Sequence, residues 1–156
     1  DNEEIIKEAR RVVEEYKKAV DRLEELVRRA ENAKHASEKE LKDIVREILR
    51  ISKELNKVSE RLIELWERSQ ERARGSEGSG SEGSPEDDVV RIIKEDLESN
   101  REVLREQKEI HRILELVTRG EVSEEAIDRV LKRQEDLLKK QKESTDKARK
   151  VVEERR

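Results

Sequence analysis

Ile5, Ala9, Val12, Tyr16, Ala19, Leu23, Leu26 and Ala30 follow one another at alternating steps of four and three residues, without a break. An α-helix turns once in 3.6 residues, so this alternation keeps all of them on one face and commits that face to packing against other helices. Ile6, Val13, Val20 and Val27 widen the face by one position. That width suits a bundle helix with more than one neighbour better than the narrow seam of a two-stranded coil. The period stops across residues 31–36, and Ser37 followed by Glu40 reads as a capping box that opens a second helix. Its stripe runs Leu41, Ile44, Ile48, Ile51, Leu55, Val58, Leu62 and Leu65, broadened by Leu49, Ile63 and Trp66.

The second half repeats the plan. Ser84-Pro85-Glu86-Asp87 supplies a cap residue, a proline at the first helical position and acids in the first turn. The stripe that follows is Val89, Ile93, Asp96, Asn100, Val103, Gln107, Ile110, Leu114 and Val117, and it ends at Gly120, the expected left-handed closing residue. Ser123 reads as the cap of a fourth helix, with Val122 and Ile127 placed to staple its first turn. The last stripe is Ile127, Val130, Gln134, Leu137, Gln141, Ser144, Ala148 and Val151.

Between the halves, residues 75–84 read GSEGSGSEGS, holding four of the five glycines and no apolar side chain. That is the composition of a flexible coil, and it serves as a tether between hairpins 1–74 and 85–156. Gly78, Gly80 and Gly83 match the spacing of a dinucleotide-binding loop, but no strand precedes them and no βαβ unit surrounds them. Helices of roughly 32 residues are about 48 Å long. A ten-residue tether spans at most about 35 Å, so the third helix must start at the end of the bundle where the second stops. The expected fold is therefore all-α: an antiparallel up-down-up-down four-helix bundle made of two helical hairpins.

Composition agrees with helices and narrows the function. Of 156 residues, 37 are Lys or Arg and 41 are Asp or Glu, for a net charge of −4; Cys, Met and Phe are absent. Both signs are interspersed through both halves, which does not point to nucleic acid, an anionic membrane or a strongly charged partner. Without cysteine there is no disulfide frame and no thiol nucleophile. Apolar runs are too short to span a bilayer or form a signal peptide, so a soluble chain is expected, with no compartment indicated.

The stripes differ in one respect. Of the 17 stripe positions in the first half only Tyr16 and Ser69 carry polar groups, with Ser52 and Ser59 on the flanking row. In the second half six of 17 are polar: Asp96, Asn100, Gln107, Gln134, Gln141 and Ser144, with His111 and Thr145 flanking. An unpaired buried amide costs on the order of 1–3 kcal/mol, so these groups should find one another. In an antiparallel hairpin joined near residues 118–123, partners at one height have numbers adding to about 241. Asn100 then meets Gln141, Gln107 meets Gln134, and Asp96 meets Thr145. The corresponding value in the first hairpin is about 74, which sets Tyr16 beside Val58 and Ser59. One expected layer is Tyr16, Ser59, Asn100 and Gln141 with Ser144; a second is Ser52, Gln107 and Gln134, with His111 one turn away. The plainer reading leaves His111, Thr145 and Ser69 at the wet edge of their stripes.

Other chemistry finds little footing. His35 and His111 are far apart, and Lys108 stands where a Glu-x-x-His metal motif needs its carboxylate, so no metal and no cofactor is expected. Acid pairs belong to helical ladders such as Glu14–Lys18 and Glu135–Lys139, and a continuous helical seam offers no pocket for a catalytic acid or a small-molecule substrate. Basic residues lack interleaved aromatics, which argues against nucleic acid.

Taken together, the capped helices of equal length, the charge-saturated outer faces, the polar positions at Asn100, Gln107, Gln134 and Gln141, and the tether resemble the de novo designed helical heterodimers with buried hydrogen-bond networks. The resemblance covers the whole chain. It implies a protein–protein interaction module without catalysis, in which hairpin 1–74 pairs with hairpin 85–156. Tyr16, Ser52, Ser59, Asn100, Gln107, His111, Gln134, Gln141 and Ser144 would form the interface's polar network. Val12, Leu23, Ile48, Leu55, Leu62, Ile93, Val103, Ile110, Leu114, Val130 and Leu137 would form its apolar part. Two alternatives stand beside it: a single-chain four-helix scaffold with no separable partner, and a natural helical adaptor or spectrin-like spacer, which the missing Phe and Met disfavour.

Overall fold

Each stripe becomes one helix. The computed structural model describes residues 2–75 and 85–153, in the order α1 (Asn2–Ala33), α2 (Glu38–Gly75), α3 (Pro85–Thr118) and α4 (Glu124–Glu153). α2 runs through Gly75, one residue into the segment expected as tether, and 76–84 lie outside the described residues. So do the side chains of Leu62, Trp66, Ser69, Ile93, Asp96 and Asn100.

The helix ends follow local chemistry. Gly120 has φ +70°, and the amides of Gly120 and Glu121 donate to the carbonyls of Val117 and Leu116, at 3.0 Å each. This closes α3 as a Schellman turn and satisfies carbonyls that the helix alone leaves unbonded. Ser123 Oγ accepts from the Ala126 amide at 3.2 Å, capping α4, while Val122 and Ile127, on either side of the cap, each pack against the core. Ser37 Oγ accepts from the Glu40 amide at 3.2 Å, but the capping box is only half made, because the Ser37 amide donates to the Ala33 carbonyl instead of waiting for the Glu40 side chain.

Neighbours in the bundle are α1 with α2, α2 with α3, α3 with α4, and α4 with α1. Ion pairs across these contacts give the directions. Glu8 pairs with Arg68 and Glu15 with Arg61, so seven residues up α1 is seven residues down α2. Likewise Glu14, Glu24 and Lys34 meet Arg149, Lys142 and Asp128 in descending order on α4. The fold is the up-down-up-down four-helix bundle.

The four stripes close on one core. Val20, Leu23 and Leu26 of α1, Ile48 and Leu55 of α2, Val103, Ile110 and Leu114 of α3, and Val130 and Leu137 of α4 belong to a single buried cluster. Ala9, Val12 and Leu65 form a smaller cluster towards the far end of α1 and α2. Val45, Leu131 and Leu138 are also buried, one position beyond the stripes assigned to α2 and α4. The wide a/d/e face recognised in α1 thus holds for α2 and α4 as well, as each of these helices touches two neighbours.

Candidate interface and its buried polar groups

The boundary between hairpin α1–α2 and hairpin α3–α4 consists of the α2·α3 and α1·α4 contacts. Burying apolar side chains along both contributes about 25 cal/mol per Å² removed from water. That term holds the hairpins together without fixing their register. The polar groups within and around the seam are directional and need matched partners.

Gln107 and Gln134 are fully buried and bond each other twice, Nε2 to Oε1 at 2.7 Å and at 3.0 Å in return. The pair sits where an antiparallel hairpin with equal rise in both helices places it. Each amide therefore uses one donor and one acceptor on its own image, an arrangement that only this register allows. Both residues lie in the second hairpin, so the pair fixes the α3–α4 register rather than the contact between hairpins.

Ser52 does not join that amide pair. It is fully buried, its Oγ lies 2.5 Å from His111 Nε2, and it also donates to the Leu49 carbonyl at 3.2 Å. The layer expected to combine Ser52, Gln107 and Gln134 is therefore two separate units, because Ser52 is carried on the side of α2 that faces His111. His111 is only 7 % exposed, which excludes the wet-edge reading for this residue. Burial pushes its pKa down from 6.5 to about 4; Lys53 adds to the shift and Glu115 opposes it. The imidazole is neutral at pH 7. The Ser52 hydroxyl is within hydrogen-bond distance of both the Leu49 carbonyl and His111 Nε2, and the imidazole tautomer sets which of the two side chains donates across the seam.

The other expected layer is also divided. Tyr16 and Ser59 are both buried, at similar heights as judged from the Glu15–Arg61 pair. Gln141 is buried too, but its neighbour Lys142 meets Glu24, whereas Arg149 meets Glu14 beside Tyr16. These pairs set Gln141 level with Leu23, seven residues or about 10 Å along α1 from Tyr16. The expected level rested on parallel α1 and α3 starting together, a condition that no short loop enforces. Gln141 Oε1 is buried and has no hydrogen-bond partner among the described residues. Thr145 is buried as well, donating from Oγ1 to the Gln141 carbonyl at 2.6 Å, so its hydroxyl is satisfied within α4. Ser144 is half-buried. The expected pairing of Asn100 with Gln141, and of Asp96 with Thr145, falls on side chains outside the described residues.

Sequence reasoning missed the charges that cross between hairpins. Lys53 meets Glu115 at 3.5 Å on the α2·α3 side; Lys34 meets Asp128 at 3.1 Å, Glu24 meets Lys142 at 3.2 Å and Glu14 meets Arg149 at 2.8 Å on the α1·α4 side. Lys34 is shared with Glu31, and the bonds to Glu31 and then to Asp128 hold its ammonium pKa above the ordinary value. On the α1·α4 side the first hairpin offers acid, acid, base along the axis, and the second answers base, base, acid. Half of the chain is charged, so no individual pair stood out in the sequence.

Among the described residues, no three His, Cys, Asp or Glu side chains come together as a metal site requires, and no helix is long and apolar enough to cross a membrane. Comparison with protein-family models, curated proteins and solved structures finds no match to this chain.

Proposed function

We propose that the chain is a designed protein–protein interaction module in which hairpin 1–74 recognises hairpin 85–156, and that it carries no catalytic activity. The observation that carries this reading is the buried Ser52–His111 contact at 2.5 Å, which joins one hairpin to the other through polar atoms inside the seam. A wrong partner or a shifted register would leave a buried imidazole and a buried hydroxyl without each other, at a cost of about 1–3 kcal/mol per unsatisfied group. The ordered signs of the α1·α4 ion pairs favour the same register. Each exposed pair is worth roughly 0–1 kcal/mol, so they bias orientation while the apolar seam supplies affinity.

A second reading, the single-chain scaffold without a separable partner, draws support from Gln107 and Gln134. Their reciprocal bonds lie inside one hairpin and need no partner. Native mass spectrometry of 1–74 and 85–156 made separately, then mixed in equal amounts, divides the two readings. A dominant 1:1 complex is expected. Persistent homo-oligomers, or halves that stay apart, would leave the scaffold as the function.

A further inference from the structure

His111 stands at the one place where a buried ionisable base meets the opposite hairpin among the described residues. Its Nε2 is hydrogen-bonded with Ser52 of α2, and the next residue on α2, Lys53, brings an ammonium to the same side of the seam. Lys53 is held by Glu115, one turn beyond His111 on α3. The second helix packed on α3 is α4, which turns Val130 and Leu131 into the core at this height. Its nearby charges point elsewhere: Arg129 is exposed, Lys132 pairs with Asp136, and Arg133 with Glu109. A proton added to the neutral ring would therefore place a cation in an apolar seam, beside a lysine and with one carboxylate to oppose it.

We propose that His111 is an acid-sensitive latch on the α2–α3 seam: neutral and held by Ser52 while the seam is closed, it takes up a proton when the seam opens, so that acid loosens the grip of one hairpin on the other. Its functional meaning rests on hairpin pairing as the function, but the device itself belongs to the intact chain. Above pH 6.5 the folded and unfolded chains both hold a neutral imidazole, and His111 adds no pH dependence. Between 6.5 and about 4 the unfolded chain binds the proton and the folded chain does not, so folding weakens about tenfold per pH unit. Below about 4 both are charged and the loss is complete, on the order of 300-fold in the folding equilibrium.

The test uses the full chain with its tether. His111 is titrated by imidazole NMR between pH 3 and 8, its signals assigned by their absence in His111→Gln, whose amide can still hydrogen-bond with Ser52. Urea unfolding of parent and variant across the same range removes the contribution of the carboxylates, which both share. The expected result is an imidazole neutral down to about pH 4, and a parent that loses on the order of 300-fold more than the variant between pH 8 and 3. Lys53→Gln, on the surface, should raise the midpoint of His111, and Glu115→Gln should lower it, whether or not His111→Gln folds. An imidazole that titrates near 6.5, or equal pH dependence in parent and variant, would overturn the latch. So would a midpoint indifferent to both surface variants. None of these results depends on whether separated halves associate, so failure of the latch and failure of the pairing function are told apart.

Discussion

Replacing Gln134 with Leu strips Gln107 of both hydrogen bonds in a place where neither side chain reaches water. The stranded amide keeps one donor and one acceptor unsatisfied, at about 1–3 kcal/mol each. Burying leucine in place of glutamine returns roughly 2 kcal/mol, and partial relaxation of Gln107 trims the rest. The net loss should be about 1–2 kcal/mol, a fall in melting temperature of roughly 2–8 °C for a domain of this size. Gln107→Leu alone should cost about the same, since the pair is symmetric. The double variant leaves no orphan and fills the layer with apolar volume, so it should match or exceed the parent. Urea denaturation of the four proteins closes a double-mutant cycle with a coupling energy of about 3 kcal/mol. Singles as stable as the parent, or a double variant that loses the sum of the two singles, would show that the reciprocal bond is not what holds this layer.

Gly120→Ala forces an L side chain to φ +70°; its Cβ would meet the flexible ends of Lys42 and Glu38, 3.4 Å and 3.8 Å away, so the cost is backbone strain of about 1–2 kcal/mol, read as a lower melting temperature. Glu14→Arg should lose up to about 1 kcal/mol by facing Arg149, and Arg149→Glu in the same chain should restore most of it. Both effects should fade in 1 M salt, where charges are screened within about 3 Å; restoration unaffected by salt would mean the pair acts through packing.

What could be read in the sequence is what one hairpin decides alone. Helix ends were legible because Ser37, Ser123 and Gly120 act through bonds three to five residues away. The Gln107–Gln134 pair was legible because a short turn and a common rise fix the level of two antiparallel helices. Positions that depend on how one hairpin sits on the other were not. His111 lies on the flank of its stripe, where a side chain can reach water or be covered, and α2 decides between these by presenting Ser52. The burial of Leu131, Leu138 and Thr145 had a signal, a second row at seven-residue spacing, that the stripe of α4 by itself did not require.

Gln141 is where these two levels of information meet. By the level of its own hairpin it belongs opposite Asn100; by the ion pairs with α1 it stands level with Leu23. Gln141 is 2 % exposed and its buried Oε1 accepts no hydrogen bond among the described residues, a penalty of about 1–3 kcal/mol in the folded state. Gln141→Leu removes that acceptor and adds apolar burial, so it should raise stability by about 1–3 kcal/mol, measured as a higher urea midpoint with an unchanged slope. The opposite result carries information of its own. A lower midpoint would mean that the amide is satisfied in solution, by water or by Asn100, and that the level within the second hairpin governs this position as it governs Gln107 and Gln134.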